Sequence, residues 1–310
     1  MTLLNTVILN EDGKDLKAYV ARPASGKGPG IVLMHEVYGV TEGIKAIADY
    51  FAEQGFVVAC PNMYWRDNPD AGFKYDPAPE TMAAMPAKER KKLETQLAKD
   101  RDAARDCMFS ILDDKDGSAK MLDTIEKVAA FLRQDSSCTG KVAASGFCFG
   151  ARNAYIALSQ KARGIDAGIA FYATPKLHEV FDMQATMAID KPFMFVAGGE
   201  DPYINDDEKE DMIVASSSTT VTYVSGRKKP IIEENENGNP YIAALYYANS
   251  NHGFNRRDSK YSDPGTSAHV MRIATEFLQA ALAEKPSFSL PAYARTNTPD
   301  SPTYHPAHKV

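Results

Sequence analysis

The stretch that most restricts how this chain can fold is Gly146-Phe147-Cys148-Phe149-Gly150. Residues 141–145 lead in as a short apolar strand and residues 151–160 lead out as a helix, so a thiol stands at the apex of a sharp strand-to-helix turn. That is the pattern of a nucleophile elbow, in which serine is the usual occupant and cysteine stands here. Glycines on both sides remove side chains where strand and helix crowd together. They also permit the strained backbone that lifts the central side chain above a sheet. An elbow of this kind needs a parallel sheet beneath it.

The rest of the chain predicts such a sheet. Residues 6–10 and 16–22, separated by Glu11-Asp12-Gly13, predict a β-hairpin with a glycine-containing turn. The apolar run 30–35 has the length of a central strand buried on both faces. Thr41 is placed to cap a helix carrying Ile44, Ile47, Ala48 and Phe51 at helical spacing, and Gln54-Gly55 ends it before a strand at 56–60. Strand, helix, strand means a parallel crossover. Residues 61–116 form an excursion over the strand ends, first aromatic and without period, then charged and helical. An amphipathic helix from Ser118 follows, with Met121, Leu122, Ile125, Val128, Ala129 and Leu132 on one face. Further strands are expected at 166–172, 192–197, 219–224 and 242–248, with a closing helix through Val270, Ile273, Ala274, Phe277, Leu278 and Ala281. The economical reading is one doubly wound α/β domain over 1–284, and a proline-rich tail, 285–310, that lies extended or is disordered.

Composition narrows the functional classes. The 310 residues are 44% hydrophobic and 25% charged with a net charge of −6, which gives no basic footprint for nucleic acid or an anionic membrane surface. No apolar run approaches the roughly 18 residues of a membrane span, and the first residues lack the basic and apolar parts of a signal peptide. A cytoplasmic protein acting on small molecules is expected. Cys60, Cys107, Cys138 and Cys148 show neither CxxC pairing nor disulfide density, so free thiols and no metal site are expected.

In an open parallel sheet, functional groups gather beyond the carboxyl ends of the strands. Here four strands end in chemically useful residues: His35-Glu36-Val37-Tyr38-Gly39, the elbow, Gly198-Gly199-Glu200-Asp201-Pro202, and Asn251-His252-Gly253-Phe254. Cys148, Asp201 and His252 therefore occur in the order nucleophile, acid, histidine that belongs to the α/β-hydrolase fold. A histidine titrates near operating pH, so it can accept the thiol proton and later pass one to the leaving group. The aspartate fixes its tautomer and stabilises the imidazolium. Each residue has a plainer rival. Cysteine is among the most buried residue types, and Cys60, Cys107 and Cys138 keep that structural reading. His35 ends a strand too, but precedes the acid and is expected to shape the first loop. Glu200 competes with Asp201, which is favoured by its place at the loop corner before Pro202.

Taken together, His-Glu-Val-Tyr-Gly at 35–39, Gly-Phe-Cys-Phe-Gly at 146–150, Gly-Gly-Glu-Asp at 198–201 and His-Gly-Phe-Asn-Arg at 252–256 resemble the dienelactone hydrolases, or carboxymethylenebutenolidases. The resemblance extends over roughly residues 10–283 and implies hydrolysis, without a cofactor, of a carboxylate-bearing unsaturated lactone to maleylacetate. It implies that Cys148 attacks the lactone carbonyl and that the backbone N–H groups of Phe149 and Val37 hold the oxyanion. Glu36 would take part in activating the thiol when substrate arrives. A carboxylate beside a thiol disfavours the thiolate, so the resemblance further implies a protected resting enzyme. Family members bind the substrate carboxylate with two arginines, for which Arg256 and Arg105 are the corresponding candidates.

This chain departs from the family in a polar insertion at about 225–239 and in the tail. An insertion beside the site would reshape its mouth, which opens the substrate to a different ester or lactone, as in a carboxylesterase. A thiol redox or sensor role for Cys148 is the rival from another class, though no resolving cysteine lies close in sequence. A noncatalytic binding protein would need a broken triad, and every position is filled. Oligomeric state stays open.

Overall fold

The computed structural model describes residues 3–68, 79–174, 176–204, 212–255 and 262–299. Strand β1 (Leu3–Glu11) folds back on β2 (Lys14–Ala21) as the expected antiparallel hairpin, and β2 lies antiparallel to β4 (Val57–Pro61). From there the sheet is parallel through β3 (Gly28–Met34), β5 (Cys138–Phe147), β6 (Ala167–Phe171), β7 (Phe193–Gly198), β10 (Asn239–Tyr247) and β8 (Ser217–Tyr223). An antiparallel edge strand, β9 (Ile231–Glu234), completes the order β1-β2-β4-β3-β5-β6-β7-β10-β8-β9. This is the mixed α/β-hydrolase architecture that the sequence pattern predicts, with β5 near the middle.

Successive residues of a strand point to opposite faces, and the core divides accordingly. Val32 and Met34 of β3 belong to one apolar cluster together with α3 (Ala87–Asp113), α4 (Gly117–Gln134) and α5 (Phe149–Ser159). Ile31 and Leu33 belong to the other, with α1 (Glu42–Glu53) and α7 (Pro264–Ala281). Helices thus cover both faces. Helix α1 starts at Thr41, whose hydroxyl accepts from the Ile44 N–H at 3.4 Å, and α7 starts at Asp263 with Pro264 in its first turn. The excursion after β4 carries α2 (Pro79–Ala84) and α3, and a short α6 (Met183–Met187) lies between β6 and β7. Among the described residues no helix is long and apolar enough to cross a membrane, and no cluster of three or more His, Cys, Asp or Glu side chains could hold a metal ion.

Insertion and tail each take on regular structure. The insertion at 225–239 supplies β9, at the far edge of the sheet and five places beyond β5, while its first residue, Ser225, donates its N–H to Asn249 of the histidine loop at 2.9 Å. Its two isoleucines followed by two glutamates, with Ile231 half-buried and the other three exposed, suit a short, charged edge strand. The tail is not wholly extended as far as 299, because α8 (Ala292–Thr296) forms within it and Leu290, Ala294 and Thr298 are buried. The Tyr223 hydroxyl donates to the Ala294 carbonyl at 2.8 Å, the Thr298 hydroxyl to the Arg227 carbonyl at 3.1 Å, and Arg295 pairs with Glu234 at 2.9 Å. Insertion and tail therefore secure one another at the same edge.

Candidate active site

The elbow is built as its glycines require. Cys148 sits at φ 54 and ψ −117, a strained conformation for a residue with a side chain, and is locked there by its own N–H donating to the Phe171 carbonyl at 3.0 Å. A Cβ on Gly146 would stand 2.4 Å from the Gly150 carbonyl, and one on Gly150 would stand 2.3 Å from the Met34 carbonyl. Only hydrogen fits at either place, so the start of α5 presses directly against the end of β3 and its following loop. Cys148 is 7% exposed, and its Sγ lies 3.4 Å from the Thr174 hydroxyl.

Two further strand ends converge on this thiol. Asp201, almost fully buried, accepts from His252 Nδ1–H at 2.7 Å, while its other oxygen accepts the Tyr203 N–H at 3.0 Å. The acid and histidine loops are tied through their backbones, by Gly199 N–H to the Tyr247 carbonyl at 2.8 Å and Glu200 N–H to the Ser250 carbonyl at 3.0 Å. Between Glu200 and Asp201, the structure pairs Asp201 with the histidine. The Cys148 sulfur acts on the imidazole from its other side. Burial works against its charged form, but the Cys148 sulfur and the Asp201 carboxylate outweigh burial and raise its pKa to about 10.

Tyr172 and Tyr64 were not singled out by sequence reasoning, yet they organise this region. Tyr172 follows β6 at φ 42, another strained non-glycine, and is buried. Its hydroxyl donates to Glu36 Oε1 at 3.1 Å, and its ring meets the His252 ring edge-on at 5.0 Å. One side chain thus braces both Glu36 and the imidazole. Tyr64, at the start of the excursion, stacks on Phe149 at 5.9 Å and donates to the Val37 carbonyl at 2.8 Å. It joins the two residues whose N–H groups are the oxyanion candidates. Positive φ at a tyrosine leaves no mark in a single sequence, so the only available signal was the position of both residues just after core strands.

His35 takes the loop-shaping role expected of it. It is fully buried, its Nδ1–H donates to the Glu36 carbonyl at 2.6 Å, and its Nε2 accepts the Met63 N–H at 3.0 Å. Desolvation holds its pKa down at about 4, so the ring stays neutral. Cys60 and Cys107 are buried and Cys138 half-buried, all as free thiols. Arg105, on α3, pairs with Asp102 at 3.0 Å and hydrogen-bonds Tyr38 of the first loop. The neighbouring Arg101 guanidinium lies 5.4 Å from the centre of the same Tyr38 ring. Arg256 lies outside the described residues.

Comparison with known proteins agrees with this architecture. The dienelactone hydrolase family matches residues 16–282. The carboxymethylenebutenolidase of Pseudomonas putida is 22% identical over 280 residues, covering 90% of this chain and 97% of that protein. A second carboxymethylenebutenolidase, from Pseudomonas sp. strain P51, is 30% identical over 138 residues, covering 44% of this chain and 48% of its own length. Among solved structures, a putative dienelactone hydrolase from Klebsiella pneumoniae superposes with a TM-score of 0.60 at 18% identity, over 92% of this chain and 99% of that one. A dienelactone hydrolase-like promiscuous phosphotriesterase from metagenomic libraries gives 0.58 at 16% identity, over 91% and 100%.

Proposed function

The chain belongs to the dienelactone hydrolase family and is a hydrolase of ester or lactone bonds, and from that premise we propose that Cys148, His252 and Asp201 form its catalytic triad, acting on a carboxylate-bearing lactone of the dienelactone type. The observation that carries this reading is the chain of contacts from Asp201 through His252 to a sulfur on a strained turn. His252 removes the thiol proton, and Cys148 Sγ attacks the carbonyl carbon of the lactone. The tetrahedral oxyanion is held by the N–H groups of Phe149 and Val37, the first of which has no partner one turn back in its helix. Collapse breaks the ring C–O bond, leaves a thioester on Cys148, and returns the proton from His252 to the departing oxygen. Water, deprotonated by His252, then attacks the thioester and releases the carboxylate and the thiol.

Glu36, held by Tyr172, is the group we assign to thiol activation as the anionic substrate enters. Arg105, next to Tyr38, and Arg256, by its place in the family's motif, are assigned to the substrate carboxylate, which a guanidinium fork matches in shape and charge. The chemistry uses no cofactor or metal, and the natural compartment is the cytoplasm.

The test is hydrolysis of dienelactone and of p-nitrophenyl acetate by wild type and Cys148→Ala. The variant is expected to lose roughly 10⁴-fold or more in kcat/KM on both esters. Equal rates for the two proteins would sink the nucleophile, while activity on p-nitrophenyl acetate alone would remove dienelactone as the substrate.

A further inference from the structure

Strands β5 and β6 pair to their last residues, with Phe147 opposite Phe171. Cys148 and Tyr172 therefore leave the sheet side by side, both at positive φ, 54 and 42. Two backbone bonds tie the departing segments together: Cys148 N–H donates to the Phe171 carbonyl at 3.0 Å, and Thr174 N–H donates to the Cys148 carbonyl at 3.3 Å. Thr174 is 1% exposed, and a β-branched side chain so enclosed has little freedom about χ1. Its hydroxyl is thereby fixed 3.4 Å from Cys148 Sγ.

The one proton on that hydroxyl has two neighbours to serve. The Tyr172 carbonyl, 3.4 Å away, can only accept. While the sulfur carries its own proton, both neighbours are satisfied when S–H donates to the Thr174 oxygen and Thr174 O–H donates to the Tyr172 carbonyl. Once the thiol proton has passed to His252, the sulfur keeps the electron pair and can only accept. The hydroxyl then gains by turning from carbonyl to sulfur, because a hydrogen bond to a charge is stronger than a neutral one and the carbonyl bond given up is long. Turning requires only rotation about the Cβ–Oγ1 bond.

We infer that Thr174 is a further catalytic residue of this site, its hydroxyl donating to the Cys148 sulfur whenever that sulfur is charged. This happens twice in the reaction: when His252 takes the thiol proton ahead of attack, and when the thioester C–S bond breaks and the sulfur departs with the bonding pair. The role rests on the reading of Cys148 as nucleophile. The titratable groups around the sulfur are His252, with Asp201 behind it, and Tyr64, whose phenol burial keeps protonated. Glu36 is bonded to the Tyr172 hydroxyl. Thr174→Val removes none of them; it keeps the backbone N–H and the branched shape and replaces the hydroxyl alone.

Alkylation of Cys148 by iodoacetamide, in which the sulfur forms the C–S bond and iodide leaves, reads the thiolate without requiring hydrolysis. It is followed by peptide mass mapping in the full chain across a series of pH values. At neutral pH the rate is expected to fall about tenfold in Thr174→Val and to stay within about twofold of wild type in Thr174→Ser, with the rates converging as rising pH ionises the thiol outright. An unchanged rate at neutral pH in folded Thr174→Val overturns the inference. So does a fall of the same size at every pH, which would mean that the sulfur has merely been displaced, or a Thr174→Ser variant as slow as Thr174→Val. If Thr174→Val does not fold, Thr174→Ala carries the same comparison with Thr174→Ser. Should alkylation slow as expected while Cys148→Ala still hydrolyses esters like wild type, the triad reading fails and the hold of the hydroxyl on the thiolate stands. An inactive Cys148→Ala beside an unaffected Thr174→Val removes Thr174 alone.

Discussion

His35 and His252 each close a parallel strand of the same sheet, the first after β3 and the second after β10, and their surroundings drive them to opposite protonation states. His35 has only backbone partners: it gives one proton to a carbonyl, takes one from an amide, and is shut off from water. No neighbouring charge compensates its burial, and its pKa falls to about 4. His252 faces a sulfur on one side and a carboxylate on the other, and its pKa rises to about 10 despite burial. Burial alone makes a histidine inert; burial between two groups that can carry negative charge makes it a base able to hold the proton it takes.

The largest effect should come from removing the charged partner set. His252→Gln is expected to lower kcat/KM by roughly 10³-fold or more, measured by ester hydrolysis. A milder result would mean that the imidazole is not the base. Asp201→Asn keeps the hydrogen-bonded shape but takes away the carboxylate's charge, and should cost roughly 10²- to 10⁴-fold while lowering the pKa of His252. That second readout, by NMR titration of the imidazole, distinguishes loss of charge from loss of fold.

On the other side of the comparison, His35→Ala should act on stability first. It leaves the buried Met63 N–H and Glu36 carbonyl without their partner, at a cost of about 2–4 kcal/mol in denaturant unfolding. The two histidines also bend the pH–stability curve in opposite senses. Below pH 6.5 the unfolded His35 takes up a proton that the folded one refuses until about pH 4, so stability declines as pH falls across that window. His269, lowered to about 4 by burial, adds to the same limb. His252 behaves in reverse: its contribution is complete below about pH 6.5 and is lost as pH rises toward 10. His35→Ala should flatten the acid limb and His252→Gln the alkaline one, and unchanged limbs would refute the opposed protonation states.

The smallest effect is expected from Tyr172→Phe, which keeps the ring against His252 and removes only the bond to Glu36. A side-chain hydrogen bond is worth roughly 0.5–1.5 kcal/mol, so kcat should drop by up to about tenfold with KM for an acidic lactone little moved. A change in KM alone would make Tyr172 a substrate contact instead.

The strands, their crossovers and the elbow were readable in the sequence because apolar period and glycine placement are local properties, and each appears within a few residues of Gly146-Phe147-Cys148-Phe149-Gly150 or of the run 30–35. The chain order of thiol, acid and histidine could be read for the same reason. β9 was missed because four residues at a charged edge carry too little apolar pattern, and α8 because the prolines around it hide a short helix whose Ala294, with Leu290 just before it, is covered only in the folded chain.

What the sequence determined alone is therefore the scaffold and the chemical types at its strand ends: a thiol on a strained turn, two histidines, and carboxylates in the loops. The tertiary structure decided which of these meet. Asp201 and His252 are 51 positions apart, and Glu36 and Tyr172 are 136 apart, distances over which no local pattern specifies a 3 Å contact. The protonation state of a histidine follows from those contacts, since burial and neighbouring charge exist only once the strands are assembled. Arg152 shows the same point in reverse: in the sequence it is one more helical arginine after the elbow, and only the folded chain buries it.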